Sequence, residues 1–395
     1  MSSKIKQISQ TQISKQLGKL SPQTITYLPV NTRSDRNIII PKYPFIAPLS
    51  PPVQFPRETA KEEFVKNIAW MGSREIFEPI LSQFKTLESW YFLNAIALLE
   101  QNKIKFYWGS VKPKGQYNLL ASKTSPKITK NSRILALIPH YNCHAWLERC
   151  IRSLVDQTRP PDRILVLDDC SPHPPIQIIE KFPQVTLLKS SENVGPYCLI
   201  QQAIAQTNYD AYLFQDADDW SANIRLERLL ETAERTGAEL VGTQEWRVYE
   251  LESKLTPVCY PLDVNMALRD KPGHPLIHPS SLVSRDLVMR VGGFATGLRF
   301  GGDTEFLLRA VFAAKIVNIP EFCYFRRKRP HSLTTARETG LNSPQRKALL
   351  QVLKTRAREN LAEFRAGMQL DLTPLAIAKP IELHYLAGDR NYNAI

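Results

Sequence analysis

The sequence predicts an α/β fold, a mostly parallel sheet flanked by helices, and three observations carry that prediction. From Arg133 onward, short continuously apolar runs alternate with segments whose apolar residues recur at helical spacing. The runs lack the polar alternation of a half-exposed strand, so they read as strands covered on both faces. They end in polar or acidic residues, at Asn142, Asp168 and Asp216, and the carboxyl ends of such strands are where ligands bind.

The elements follow in order. Ile134–Ile138 is a buried strand ending in Pro139-His-Tyr-Asn142, followed by a helix from about His144 to Asp156 with Leu147, Ile151, Leu154 and Val155 on one face. Arg163–Asp168 is a second strand, ending in Asp168-Asp-Cys-Ser171. A helix (Ile176–Lys181), a strand (Val185–Lys189) and a helix (about Cys198–Gln206) come next. The apolar run Ala211–Phe214 is a short buried strand leading to Asp216, Asp218 and Asp219, with Trp220 and Ser221 opening the following helix. Further on, Asp303–Ala314 is helical, Phe322–Phe325 is strand-like, and Pro344–Gln369 is an amphipathic helix with Leu349, Leu350, Leu353, Leu361 and Phe364 on its apolar side.

Upstream the composition differs. Residues 1–57 are rich in Ser, Gln, Lys and Pro, with six prolines from Pro41 to Pro56, and read as an extended or disordered basic arm and linker. Residues 58–130 read as a small helical module and linker, because Phe64, Ile68, Met71, Ile76, Ile80, Phe84, Leu87 and Trp90 recur mostly three or four apart. A short strand falls at Lys105–Trp108. Residues 131–335 form the α/β domain and 336–395 a C-terminal helical extension.

Of the formal net charge of +13, residues 1–130 carry +11. That basic region fits either a solubilising face or a peripheral contact with anionic headgroups at the inner face of a membrane. No aromatic RNA-binding signature or zinc finger accompanies the charge, which argues against nucleic acid. No apolar stretch reaches the roughly eighteen residues of a membrane span, and the N-terminus lacks a secretory apolar core. Six cysteines without a C-x-x-C pair read as reduced thiols, which suits a cytoplasmic protein.

Three carboxylates at one strand end repel one another, which raises at least one pKa unless a cation joins them. Oxygen ligands of this kind suit Mg²⁺ or Mn²⁺, which can bridge to a substrate diphosphate.

Several segments, in order, are similar to family 2 glycosyltransferases. Ile138-Pro-His-Tyr-Asn142 resembles that family's opening strand end, Cys150-Ile-Arg-Ser-Leu154 with Gln157-Thr158 its first helix, and Val166–Ser171 its V-V-D-D-G-S. Asn193-Val-Gly195 resembles its N-x-G turn and Asp216-Ala-Asp218-Asp219 its D-x-D-D. Gly292-Gly-Phe294, Gly302-Asp-Thr-Glu305 and Tyr324–Thr334 resemble its later segments. The resemblance spans about 200 residues, half of the chain. It implies a GT-A fold acting on a nucleotide-diphosphate sugar.

The resemblance also implies roles. Pro139, Tyr141, Asn142, Asp168, Asp169, Asn193, Gly195 and Asp216 would bind the nucleotide, with Asp168 accepting from the base edge. Asp216, Asp218 and His331 would hold Mg or Mn. Asp303 would be the general base, although an aspartate opening a helix is also a good N-cap, and both can hold at once. His278, Asp219, Glu305 and Arg327 would lie on the acceptor or diphosphate side, though Glu305 is roughly 200° round the helix from Asp303 and faces elsewhere. Three positions depart from the pattern: Gly302 replaces a usual Glu, Cys170 a turn glycine, and Pro196-Tyr-Cys-Leu-Ile the common A-R-N with its cation.

The resulting expectation is an inverting, metal-assisted transfer of a sugar from a UDP-sugar to a hydroxyl acceptor on a glycan, lipid or protein. A non-catalytic nucleotide-sugar-binding protein is the alternative, raised by Gly302. A sugar-nucleotide pyrophosphorylase is weaker, because Pro139-His-Tyr-Asn142 contains none of the glycines that such a phosphate loop needs.

Overall fold

The computed structural model describes residues 125–392 except 250–253 and 331, together with four short strands before them. Those four, Thr24–Tyr27, Phe45–Pro48, Ile68–Ser73 and Tyr107–Trp108, form a small sheet of their own. Ile68–Ser73 is therefore strand where the periodicity predicted helix. Its Ile-Ala-Trp-Met-Gly-Ser sequence has β-branched and aromatic residues that suit a pleated surface equally well, and a period of three or four is not decisive over six residues. The rest of the expected helical module, and almost all of the basic arm, lie outside the described residues.

In the main domain the strands are β1 (Ile134–His140), β2 (Arg163–Asp168), β3 (Val185–Ser190), β4 (Ala211–Phe214), β5 (Trp220–Ser221), β6 (Leu240–Tyr249), β7 (Lys254–Val258), β8 (Leu282–Ser284), β9 (Ile316–Arg327) and β10 (Leu383–Gly388). The helices are α1 (His144–Val155), α2 (Ile176–Ile179), α3 (Pro196–Gln206), α4 (Arg225–Thr236), α5 (Val264–Asp270), α6 (Arg285–Arg290), α7 (Gly302–Ala310) and α8 (Pro344–Arg365).

The sheet runs β10-β3-β2-β1-β4-β8-β6-β9-β5, with β7 added on β6. β3, β2, β1 and β4 are mutually parallel, as are β6 and β9. Antiparallel β8 joins the two parallel groups, and antiparallel β10 covers the β3 edge. The chain winds outward from β1 to β3 and then crosses back to β4 on the other side of β1. That reversal opens a crevice between the carboxyl ends of β1 and β4.

The continuous apolar strands behave as their composition requires. In β1, Ile134, Ala136 and Ile138 face one core with Leu147, Ile151 and Leu154 of α1 and Leu226 and Leu229 of α4. Leu135 and Leu137 face the other, with Leu199, Ile200 and Ile204 of α3 and Phe306 of α7. Each such side chain contributes about 1.5–3 kcal/mol when fully buried.

Three local expectations shift. Trp220 and Ser221 are not the start of a helix but a two-residue strand on β9, and α4 begins at Arg225. The ring of Trp220 stacks on Phe325 at 4.9 Å, so tertiary contact overrides local preference. α8 stops at Arg365, just before Gly367 adopts φ +69, a left-handed turn that a helix cannot continue. Beyond it the chain returns to the sheet as β10, with Leu383 and Tyr385 packed on the second core. All six cysteines are free thiols. Among the described residues no helix is long and apolar enough to cross a membrane.

Candidate active site

A cleft of about 470 Å³ lies at the β1/β4 crevice. Three chain segments build its first wall. Asn142, just past β1, takes φ +51, a left-handed conformation that asparagine tolerates better than most residues. That turn sets Pro139, Tyr141 and Asn142 on the cleft, with Tyr141 47% exposed and free to lie against a flat ring.

Asp169 and Asn193 face the same space, and their backbone contacts close the wall. The Asp169 carboxylate accepts the Val194 N–H at 2.7 Å and the Gly195 N–H at 2.9 Å, while Asn193 Nδ2 donates to Asp169 O at 2.8 Å. Gly195 sits at φ +89, which only glycine adopts without strain. Burial raises the Asp169 pKa against the pull of these two N–H groups. Cys170, where a glycine is usual, also takes a left-handed φ of +61. Arg299 reaches the cleft from the loop before α7 and donates to Asn193 Oδ1 at 2.6 Å.

Asp168 is placed differently from the expectation. It is fully buried and is not part of the cleft wall. Its Oδ1 lies 2.8 Å from His140 Nδ1, and its Oδ2 accepts the Ser171 N–H at 2.9 Å. His140 Nε2 accepts the Cys143 N–H at 3.2 Å, so the ring proton resides on Nδ1 and points at Asp168. Burial opposes the charge, but His140 and Ser171 more than offset it and hold the carboxyl below its usual range. In this geometry Asp168 braces the β1 and β2 ends from behind the cleft wall.

The opposite wall is the acidic end of β4. Asp216, Asp218 and Asp219 place ligand oxygens within 4.8 Å of one another. Burial and then the neighbouring Asp218 raise Asp216 to about 7. The same two causes push Asp219 well above the carboxylate range. Arginines from the end of β9 surround this charge. Arg329 Nε donates to Asp218 Oδ2 at 2.6 Å, and the Arg327 N–H donates to Asp219 Oδ1 at 2.7 Å. Burial works against the charge on Arg326, but Glu245, Asp219 and Asp216 overcome it. Arg326, Arg327 and Arg329 all line the cleft. The donor set, three carboxylates within reach of one another and no soft ligand among them, fits a hard divalent cation such as Mg²⁺ or Mn²⁺. His331 lies outside the described residues.

Asp303 stands in the first turn of α7, apart from that wall but close enough for its charge to raise Asp216. Its Oδ1 accepts the Thr304 N–H at 2.8 Å, and His274 Nε2 is 3.7 Å from Oδ2. His274 Nδ1 in turn lies 3.0 Å from Thr304 Oγ1. Burial would raise the Asp303 pKa, yet His274, the Thr304 N–H and the Tyr197 hydroxyl lower it. An ionised carboxylate held this way can accept a proton. His278 stacks on Phe214 at 4.1 Å, and its buried Nε2 has no hydrogen-bond partner. Burial lowers it to about 4, so the ring is neutral.

Glu305 faces elsewhere, as its helical position predicts. Arg309 grips it through two bonds of 2.8 and 2.6 Å, and the Leu375 N–H adds a third at 3.0 Å. It joins α7 to the C-terminal segment and is remote from the cleft wall. Sequence reading missed Arg299, His274 and Tyr197. None sits in a recurring motif, and only their convergence on Asn193 or Asp303 marks them.

Residues 136–290 match the family described as Glycosyl transferase family 2. An uncharacterized glycosyltransferase of Haemophilus influenzae is 24% identical over 217 residues, 51% of this chain and 72% of that protein. The uncharacterized glycosyltransferase EpsJ of Bacillus subtilis is 26% identical over 215 residues, 50% of this chain and 62% of that protein. The chain thus spans about two thirds of these relatives. Among solved structures, S. aureus TarS 1–349 in complex with UDP-GlcNAc aligns over 59% of this chain and 71% of that one, at 18% identity and a TM-score of 0.47.

Proposed function

We propose that this chain, whose residues 136–290 match Glycosyl transferase family 2, transfers a sugar from a nucleotide diphosphate, in the first instance a UDP-sugar, to a hydroxyl acceptor with inversion. The observation that carries this reading is the cleft itself: Pro139 and Tyr141 line it together with a cluster of three aspartates and three arginines at the β1/β4 crevice. Such a site accommodates a flat heterocycle at one end and a diphosphate with its counter-ion at the other.

A divalent cation bound by Asp216 and Asp218 would neutralise the departing diphosphate as a Lewis acid. The chain's own residues supply the rest. Arg326, Arg327 and Arg329 present charge to the diphosphate, while Asn193, Arg299 and Asp169 fix the nucleotide end. The acceptor hydroxyl attacks the anomeric carbon from the face opposite the leaving group. As the new C–O bond forms, the bond from that carbon to the diphosphate oxygen breaks and its electron pair leaves with the nucleotide. The acceptor proton passes to the Asp303 carboxylate. His278 and Asp219 stand at the acceptor and diphosphate sides of this path.

The test is titration with UDP-, GDP- and dTDP-sugars, with Mn²⁺ and with EDTA. Cation-supported binding of a UDP-sugar is expected. Absence of binding to every donor would sink the reading, and tight binding with no turnover toward water or any acceptor would favour the non-catalytic alternative.

A further inference from the structure

Two departures from the family pattern, far apart in sequence, meet in space. A Cβ at Gly302 would lie 2.7 Å from Cδ2 of Tyr197, 2.8 Å from its Cγ and 3.0 Å from its Cε2. These atoms belong to a rigid ring, not to the tip of a flexible chain. Tyr197 is 9% exposed and lies nearly parallel to Phe294, 6.4 Å between centroids and 14° between planes. The ring cannot step aside, so with Tyr197 in place no side chain fits at position 302. The missing carboxylate has not left a hole. A phenol fills that space.

The same phenol reaches the next residue. The ring lies against the residue before Asp303, and the hydroxyl is among the groups that lower the Asp303 carboxyl pKa. Burial, and then the Asp303 charge, push the phenol pKa well above its usual value. It therefore remains a neutral donor across the working range, where a glutamate at 302 would bring a second negative charge.

We propose that Tyr197 and Gly302 act as one unit, in which the tyrosine ring occupies the place of a side chain at 302 and its hydroxyl positions the Asp303 carboxylate. The positioning half rests on Asp303 being the base; the steric half does not. Tyr197 is a positioning residue, acting on the reaction through Asp303.

Two arms test it. The first is a double-mutant cycle on thermal stability with Gly302→Ala, Tyr197→Ala and the double variant. Gly302→Ala should lower Tm in the parent and cost far less once Tyr197 is gone. Additive shifts would overturn the steric pairing. The second compares Tyr197→Phe with the parent in hydrolysis of UDP-glucose and UDP-N-acetylglucosamine, and keeps the ring should Tyr197→Ala not fold. Removing a donor from an ionised carboxylate raises its pKa. The acidic limb of the rate profile should therefore move to higher pH, with kcat down about tenfold and donor KM unchanged. An unmoved limb and unchanged kcat would overturn the positioning role. Asp303→Asn run alongside separates the two readings. If it keeps full activity, the base assignment and the positioning role fail together, and the steric pairing still stands or falls on Tm.

Discussion

The acidic ends of β2 and β4 read alike in sequence and fold into different electrostatic situations. At β2, each aspartate meets donors built for it: His140 and the Ser171 N–H for Asp168, the Val194 and Gly195 N–H groups for Asp169. At β4, three carboxylates crowd within 4.8 Å, and burial and mutual repulsion raise two of them. Both of the first pair are held by their own chain, Asp168 behind the cleft wall and Asp169 on it. In the second cluster burial and repulsion outweigh the arginines around it, and a bound cation would relieve them. A carboxylate satisfied by its own chain works as scaffold, whereas a crowded and under-compensated one is available to a ligand.

Asp303 gives this contrast its sharpest test, because it combines the bracing of the first pair with a position near the second. Asp303→Asn is nearly isosteric, and asparagine still suits a helix N-terminus. Donor binding should persist while turnover falls by roughly a hundredfold or more. A small loss of stability with full activity would place Asp303 with the scaffold carboxylates instead.

The two strand ends themselves should then dissociate. Asp218→Asn is expected to weaken Mn²⁺-supported UDP binding at least tenfold, about 1.4 kcal/mol, with Tm unchanged or raised as repulsion is relieved. Asp168→Asn should do the reverse. Losing charge-assisted bonds costs about 1.5–3 kcal/mol, a Tm drop of several degrees in a domain of this size, with donor affinity largely kept. Calorimetric titration and thermal melts on both variants decide it. Loss of UDP affinity in a fully stable Asp168→Asn protein would return that residue to the nucleotide.

A smaller effect separates the clusters by pH. Asp216, raised to about 7, keeps a proton in the folded state that the unfolded chain has already lost. Its contribution is fully present below the ordinary carboxylate range and disappears as pH rises toward 7. In EDTA, Tm of the parent relative to Asp216→Asn should therefore fall across that window, and Mn²⁺ should reverse the fall by taking the proton's place. A parent that gains stability over Asp216→Asn through the same window in EDTA would contradict the repulsion on which the comparison depends.

Much of this was legible in the chain. Continuous apolar runs fixed β1 to β4 and their helices, because a strand covered on both faces leaves no polar alternation to misread. The polar residues at their ends marked the right edge of the sheet, since parallel strands bring their carboxyl ends together whatever the loops do. Pro139, Tyr141, Asn142, Asp169, Asn193, Gly195, Asp216, Asp218, Asp219 and Arg327 all came to one cleft.

What the sequence could not decide is which of two adjacent aspartates faces that cleft. Successive residues leave a strand in opposite directions, so Asp168 and Asp169 diverge by the pleat, and only the partners waiting on each side assign their tasks. The same holds for Tyr197, Gly302, His274 and Arg299. Each acts on a neighbour some thirty to a hundred positions away or more, through contacts that exist only once the sheet has closed and brought α3, α7 and their loops together.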